Sequence, residues 1–247
     1  MNMTGNTILI TGGASGIGRG LAEALHKMGN QVVISGRRQD ALNKVTVANP
    51  GMASLQLDIM DKASIQVFTE QAINKFPALN VLINNAGIMR VEDIKASSES
   101  LQDAEEMVAT NLLGTIRVSA AVLPHLLKQP RSTLVTVSSG LAFVPLMAAP
   151  TYCGTKAAIH SYSMSLRHQL QGTSVEVIEI APPYVQTELL GAFQATDPHA
   201  MPLADFISEV MSLLERGESE VIVEQCKPLR FAAENGTMVK MLKALNP

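Results

Sequence analysis

Short apolar runs alternate along the chain with longer stretches in which apolar positions recur at helical spacing. The runs predict strands at residues 7–11, 31–35, 54–58, 81–84, 133–138, 175–180 and, with a weaker pattern, 220–223. The helical spacing predicts helices at residues 16–28, 39–48, 62–76, about 98–128, 152–170, 203–216 and 229–243. Most strand runs are continuously apolar, which is typical of parallel strands covered on both faces.

Repeated strand–helix alternation predicts right-handed crossovers and a Rossmann-like, doubly wound parallel sheet. We expect an α/β fold of about seven strands in three α/β/α layers, formed by residues 1–247 as a single domain. Pro124 should bend or interrupt the long fourth helix, and Pro182-Pro183 should close the sixth strand. Because ligands of such sheets bind beyond the carboxyl ends of the strands, the residues that follow each strand are the informative ones.

Composition narrows the choice of partners and compartment. The net charge is −3, and no block of five like charges is present, which argues against nucleic acid and a membrane surface. The longest apolar runs fall short of the roughly 20 residues of a membrane span. Residues 1–6 lack a signal-peptide pattern, and Cys153 and Cys226 are too few for a disulfide framework. We therefore expect a cytoplasmic protein.

The first strand leads into the sequence Thr-Gly-Gly-Ala-Ser-Gly-Ile-Gly, residues 11–18, at the start of a helix. Glycines let the backbone approach a pyrophosphate, and a helix N-terminus offers free N–H groups and a positive dipole end. The candidate cofactor-binding residues here are Gly12, Ser15, Gly16, Ile17 and Gly18. Their spacing differs from the common G-x-G-x-x-G fingerprint, and a glycine-rich turn without a ligand is the alternative.

The end of the second strand bears on the type of nicotinamide cofactor. An acidic residue there would bind the ribose hydroxyls and repel a 2′-phosphate. The chain has Gly36 followed by Arg37 and Arg38, whose guanidinium groups can pair with a phosphate. This predicts NADP(H) in preference to NAD(H), which stays possible; two solvated arginines are the alternative.

The third and fourth strands are also followed by candidate cofactor residues. Asp58 and Ile59 can lie at the adenine edge, although Asp58 or Asp61 could equally start the next helix as its N-cap. Asn85, Ala86 and Gly87 follow the fourth strand, and small residues there let the chain pass close to a cofactor.

The chemical residues follow the fifth strand. Tyr152 and Lys156 are one helical turn apart and so lie on the same helix face, and Ser139 precedes that helix. The positive charge of Lys156, helped by an oxidised nicotinamide, favours the phenolate and lowers the pKa of Tyr152, so the pair can deliver a proton to a carbonyl oxygen. Asn111 could anchor a water that links Lys156 to solvent. Tyr-x-x-x-Lys alone also occurs by chance on helix surfaces.

Taken together, these motifs resemble the short-chain dehydrogenase/reductase family, from about Thr7 to Thr187. The resemblance implies an NADP(H)-dependent oxidoreductase that interconverts a ketone or aldehyde and an alcohol. It implies that Asn111, Ser139, Tyr152 and Lys156 are catalytic, with Tyr152 as general acid/base and with Tyr152 and Lys156 also contacting the cofactor. It further implies cofactor contacts from Val185 and Thr187 and a homodimer or homotetramer.

Two departures from the family pattern stand out. Pro182-Pro183 replaces the usual Pro-Gly, and residues 220–247 form an atypical basic-apolar tail. Both resemble a branch named for D-alanine-transfer-operon oxidoreductases.

The segments expected to roof the site are rich in apolar residues, which suits an apolar or aromatic carbonyl substrate. The candidate lining residues are Leu141, Val144, Met147, Tyr184, Leu189 and Phe193. The alternative is that many of them face the core or a second subunit. His125, His160 and His168 show no clustering with cysteines or carboxylates in the sequence, so we predict no metal. A non-catalytic NADP(H) sensor or scaffold is the alternative function, against which the intact Ser139, Tyr152 and Lys156 argue.

Overall fold

The computed structural model describes residues 1–246, with the backbone alone described at residues 97–100. Seven parallel strands form one sheet in the order β3-β2-β1-β4-β5-β6-β7. The strands are β1 (Thr7–Thr11), β2 (Gln31–Gly36), β3 (Ala53–Gln56), β4 (Leu79–Asn84), β5 (Ser132–Val137), β6 (Val175–Ile180) and β7 (Glu220–Val221). The strand order reverses between β1 and β4, so the predicted doubly wound sheet is confirmed.

Helices cover both faces of the sheet. They are α1 (Gly16–Lys27), α2 (Gln39–Ala48), α3 (Lys62–Lys75), α4 (Ser97–Met107), α5 (Thr115–Leu126), α6 (Pro150–Gln169), α7 (Leu203–Glu215), α8 (Lys227–Arg230) and α9 (Met238–Leu245). Alternate residues of a strand point to the two helix layers on opposite faces of the sheet. Ile8 and Ile10 pack with α1 and α7, whereas Leu9 between them packs with α3 and α5. This two-sided burial is why the strand sequences are continuously apolar.

The predicted long fourth helix is divided at a different place from the one expected. A π-helical segment, Val108–Gly114, lies between α4 and α5. Pro124 does not interrupt the helix, because it lies within α5, which continues to Leu126. The predicted helix at 229–243 is also wrong as a single element, since α8 ends at Arg230 and α9 begins at Met238.

One helical stretch, Leu101–Leu126, is long and apolar enough by length and composition alone to cross a membrane. The sequence pattern did not predict such a stretch. Its α5 portion packs against β4 and α3, which is the position of a core helix.

Candidate active site

A cavity of about 960 Å³ lies beyond the carboxyl ends of the strands, where the strand order reverses. Its wall includes most of the predicted site residues: Gly12, Ser15, Gly16, Ile17, Arg37, Arg38, Ile59, Asn85, Ala86, Gly87, Ser139, Tyr152, Lys156, Val185 and Thr187. The fold thus brings together residues that follow six different strands, β1 to β6.

The loop after β1 packs too tightly to accept side chains at its glycines. Gly12 has a positive φ of 68°, and a Cβ there would lie 2.9 Å from the Cα of Ala86. Gly18 does not line the cavity, because it packs against the Gly12 carbonyl and the Asn85 side chain. Its role is to let α1 begin close to β4, which leaves the N-terminus of α1 facing the cavity.

Thr11 and Asn85 join the loops that follow β1 and β4. The hydroxyl of Thr11 accepts hydrogen bonds from the backbone N–H groups of Asn85 and Ala86, both at 3.1 Å. The side-chain amide of Asn85 donates to the carbonyls of Thr11 at 3.0 Å and Gly12 at 3.2 Å. These bonds fix the floor of the cavity before any ligand binds.

Arg37 and Arg38 lie at one end of the cavity with Gly36, and both arginine side chains are exposed to solvent. From the loop after β3, Leu57 and Ile59 line the cavity but Asp58 does not. The Asp58 carboxylate instead accepts a hydrogen bond from the backbone N–H of Met60, and Asp61 is the N-cap of α3. The helix-cap alternative therefore applies to Asp61, and the structure places Asp58 outside the cavity wall.

Tyr152 and Lys156 are both buried on the face of α6 that lines the cavity. The Lys156 ammonium donates a 2.8 Å hydrogen bond to the carbonyl of Val137 and lies 5.7 Å from the centre of the Tyr152 ring. Ser139 lines the same part of the cavity, and its hydroxyl accepts a hydrogen bond from the backbone N–H of Leu141 at 3.1 Å. The structure therefore places all three side chains at the same wall, next to Gly87.

Burial controls the ionisation of both α6 residues in the protein alone. It raises the pKa of the Tyr152 phenol, which the hydrogen bond with Ser139 partly opposes. It lowers the pKa of Lys156 to about 8, and the negative charge of Glu179 opposes this shift. In the protein alone, desolvation of the phenol dominates its pKa, and the lowering of that pKa by Lys156 together with an oxidised nicotinamide stays a prediction.

Asn111 lies in the π-helical segment and does not line the cavity. Its side-chain oxygen accepts from the backbone N–H of Ile88 and its amide donates to the carbonyl of Ile88, both at 2.9 Å. The amide also donates to the Thr155 hydroxyl at 3.2 Å. Asn111 thus connects the loop after Gly87 to α6, while its role in anchoring a water stays a prediction.

Glu92 holds the start of α6, a role that the sequence pattern did not reveal. It is buried, and its two carboxylate oxygens accept from the backbone N–H of Thr151 at 2.9 Å and from the Thr151 hydroxyl at 2.7 Å. A carboxylate at a helix N-terminus is favoured by the helix dipole. Since Thr151 directly precedes Tyr152, this contact helps to fix the position of the phenol in the cavity.

Gln194, also missed from the sequence, organises the loop after β6. Its buried side-chain amide donates to the carbonyl of Val185 at 2.7 Å and to the Thr187 hydroxyl at 3.1 Å. Its oxygen accepts from the backbone N–H of Leu190 at 2.9 Å. One side chain therefore holds the loop that follows Pro182-Pro183 against the cavity.

Three of the six predicted substrate-lining residues do line the cavity: Leu141, Tyr184 and Leu189. The other three do not. Val144 is fully buried in the protein, whereas Met147 and Phe193 are 63% and 61% exposed on the surface. The 3-10 turn at Gly140–Ala142 changes which side chains point inward, so that Leu146 occupies the wall instead.

The C-terminal tail supplies two wall residues that no local pattern indicated, Leu229 and Leu245. Gly140 allows its close approach, because a Cβ there would lie 2.8 Å from Leu229. At the far end, the Asn246 side chain accepts from the backbone N–H of Met147 and donates to the carbonyl of Pro145. The tail therefore closes the apolar end of the cavity.

His160 clusters with carboxylates after all. One imidazole nitrogen of His160 and one carboxylate oxygen each from Glu179 and Glu220 lie within 4.8 Å of one another, close enough for a shared metal ion. The argument from sequence that His160 has no such neighbours is therefore wrong, although the absence of a metal stays a prediction. In the structure these groups pair with protein side chains, Glu179 with His160 and Glu220 with Arg230.

A Rossmann-like sheet with a glycine-rich loop, a basic second-strand end and a Ser-Tyr-Lys wall defines a dinucleotide-binding protein built for oxidoreduction. The sequence profile of the family described as short chain dehydrogenase matches residues 6–198, and the chain belongs to that family. The matched residues include the glycine-rich loop, Arg37, Ser139, Tyr152 and Lys156.

A curated relative and two solved structures are similar over nearly the whole chain. The chain is 41% identical over 235 residues to the uncharacterized oxidoreductase DltE of Bacillus subtilis (strain 168), a match that spans 94% of this chain and 93% of the relative. This relative confirms the branch that the tail and the double proline resemble.

The solved structures are a short chain dehydrogenase from Burkholderia cenocepacia J2315 in complex with NADP and one from Sphingobium yanoikuyae in complex with NADPH. The first has a TM-score of 0.84 and 25% identity over 98% of this chain and 99% of its own. The second has a TM-score of 0.81 and 25% identity over 96% and 95%.

Proposed function

We propose that this protein is an NADP(H)-dependent carbonyl reductase for apolar or aromatic ketones and aldehydes, with Tyr152 as general acid/base. The observation that carries the proposal is the wall where Ser139, Tyr152 and Lys156 meet between a dinucleotide-sized groove and an apolar pocket. The proposal treats residues 1–247 as one catalytic domain, with the tail as part of the substrate pocket.

The donors and the shape of the groove support a dinucleotide. The loop after β1 presents backbone N–H groups at a helix N-terminus, and Gly12, Ser15, Gly16 and Ile17 line the groove there. Arg37 and Arg38 line one end of the groove and offer two guanidinium groups to the 2′-phosphate of NADP(H). The NADP and NADPH complexes of the two similar structures agree with this choice, and NAD(H) remains a weaker substitute.

Bound NADPH would supply the hydride that reduces the carbonyl carbon. The phenol of Tyr152, kept protonated by burial, donates its proton to the carbonyl oxygen as negative charge grows there. Ser139 donates a hydrogen bond to the same oxygen. The Lys156 ammonium stabilises the phenolate that remains, and Asn111 holds the Ile88 loop and α6 at a fixed separation.

The substrate pocket supports an apolar substrate. Its wall beyond Tyr152 is formed by Met89, Leu141, Leu146, Leu189, Leu190, Leu229 and Leu245. These side chains offer no partner to a phosphate or carboxylate, whose burial without one would be costly. The unbranched Met89 side chain in this wall can adapt to substrates of several shapes.

The test is NADPH oxidation with a panel of aryl and alkyl ketones, phosphorylated ketones and 2-keto acids. We expect turnover with the apolar members and little with the charged ones. Turnover of the charged members alone would overturn the substrate class. Tight NADPH binding without turnover of any carbonyl would instead favour an NADP(H) sensor.

We further propose that the protein acts in the cytoplasm as a homodimer or homotetramer. Its two cysteines are free and buried, which suits a reducing compartment. Leu113 and Met164, on the long helical stretch and on α6, are 38% and 54% exposed. Light scattering coupled to size exclusion should give at least twice the 26.4 kDa of the chain.

A further inference from the structure

The helix face that carries Tyr152 and Lys156 continues beyond the cavity wall. His160 follows one helical turn later and meets Glu179, which projects from β6 and is fully buried. The Nδ1 atom of His160 lies 2.9 Å and 3.1 Å from the two carboxylate oxygens. An ionised carboxylate can only accept hydrogen bonds, so this contact suits the tautomer with its proton on Nδ1. The three residues of α6 thus form a line of phenol, ammonium and imidazole.

Glu179 is also the neighbouring charge of Lys156. The ammonium is held on the carbonyl of Val137, and Val137 pairs across the sheet with Ile180, the residue that follows Glu179. The carboxylate favours the charged form of Lys156 and opposes the effect of burial on the pKa of that ammonium.

The other charges around the pair are already matched. Glu220 of β7 lies directly across from Glu179 in the sheet register, and its carboxylate is bound by the Arg230 guanidinium through two nitrogens. Arg230 comes from the tail and also pairs with Glu234. The titratable groups facing Lys156 and Glu179 are therefore Tyr152 and His160 from α6, Glu220 from β7, and Cys226 and Arg230 from the tail.

We propose that Glu179, oriented by His160, is a positioning residue that keeps Lys156 charged and fixed on the Val137 carbonyl while Tyr152 transfers its proton. A fully buried carboxylate is costly unless it is paired, and Glu179 is paired with His160, one helical turn beyond Lys156 on the same helix face. The predicted effect on proton transfer by Tyr152 rests on the proposed function. The predicted effect of Glu179 on the charge of Lys156 is independent of that function.

The direct test is a titration of Lys156 by 15N NMR of lysine-labelled protein, with its signal assigned from its loss in Lys156→Met. Glu179→Gln keeps the shape of the side chain and removes its charge. We expect it to move the Lys156 titration about one pH unit lower. Glu176→Gln is the matched control, because Glu176 lies on the same strand but faces the opposite layer and binds the amino group of Met1. It should leave the titration unchanged.

The kinetic counterpart is the pH profile of ketone reduction. In Glu179→Gln, kcat should fall about fivefold at pH 8 and hardly at all at pH 6, with the ketone KM unchanged. Glu179→Asp, which restores the charge, should recover much of the loss at pH 8. A merely structural role would instead lower kcat by the same factor at every pH.

A second variant covers the case in which Glu179→Gln does not fold. The double change Glu179→Met with His160→Phe replaces the pair by apolar side chains of similar volume and keeps an aromatic ring against Phe143. The same downward shift of the Lys156 titration is expected. An unchanged titration in either variant would overturn the proposal, even in an enzyme that turns over. A downward shift in a protein without turnover would overturn the proposed function alone.

Discussion

The two ends of the cavity are built in different ways. At the cofactor end, each wall segment follows a strand, and neighbouring strand ends are joined by hydrogen bonds such as those from the N–H groups of Asn85 and Ala86 to the Thr11 hydroxyl. At the substrate end, the wall combines the loop after β5, the loop after β6 and the C-terminal tail. Those segments meet through long-range contacts such as that of Asn246 with Met147. The first end is therefore set by the sheet, since its wall follows the strand ends, and the second by how loops and the tail pack on one another.

The largest effect is expected where the two ends meet. Tyr152→Phe removes the proton donor and keeps the ring, so kcat for ketone reduction should fall by about 10²–10⁴-fold. NADPH affinity, measured by fluorescence titration, should stay within about twofold because the phenol adds little to the binding surface. Retained turnover would show that another group supplies the proton.

At the cofactor end, Arg37→Ala should weaken NADPH by about 10- to 100-fold, the cost of one or two charge-assisted hydrogen bonds. NADH lacks the 2′-phosphate and serves as the internal control. Its dissociation constant should change little. An equal loss for both cofactors would mean that Arg37 does not contact that phosphate.

The pH dependence of kcat tests the ionisation of Lys156 and Tyr152, which lie where the two ends of the cavity meet. Burial lowers the pKa of Lys156 to about 8 from 10.5, so the ammonium is present below that pH and is lost as the pH rises through it. The Tyr152 phenol stays protonated across this range, since burial raises its pKa. The value of kcat for reduction should therefore decline above about pH 8, by about tenfold near pH 9. A profile that stays flat to pH 10 would contradict this assignment.

The smallest effect is expected at the substrate end. Leu245→Ala should raise the KM of a small ketone by about tenfold or less and favour bulkier ketones, because it enlarges the pocket by part of a half-buried side chain. Phe193→Ala is the matched control, since Phe193 is 61% exposed and outside the cavity wall. A change in size preference for the control alone would show that Phe193, rather than the tail, closes the pocket.

The same contrast explains what could be predicted from the sequence. Tyr152 and Lys156 share a helix face by spacing alone, and Gly12 and Arg37 follow strands whose apolar runs are unambiguous. Leu146 lines the cavity where the sequence predicted Val144, because a 3-10 turn alters the direction of the loop. The spacing of apolar residues does not reveal such a turn. Leu245 lies nearly a hundred residues beyond Tyr152, and its place in the wall depends on the Gly140 contact and the Asn246 hydrogen bonds.

Because Val108–Gly114 is a π-helical segment, the number of residues between α4 and α5 affects the geometry of the site. A π turn holds more residues than an α turn, so deleting one residue there would restore regular α-helix. Each residue of an α-helix turns it by about 100°, so residues on the two sides of the deletion would lose their relative alignment. Either Asn111 would leave Ile88 or α4 would leave its place beside α6. A deletion that a surface loop would absorb would here uncouple the Ile88 loop from the helix that carries Tyr152.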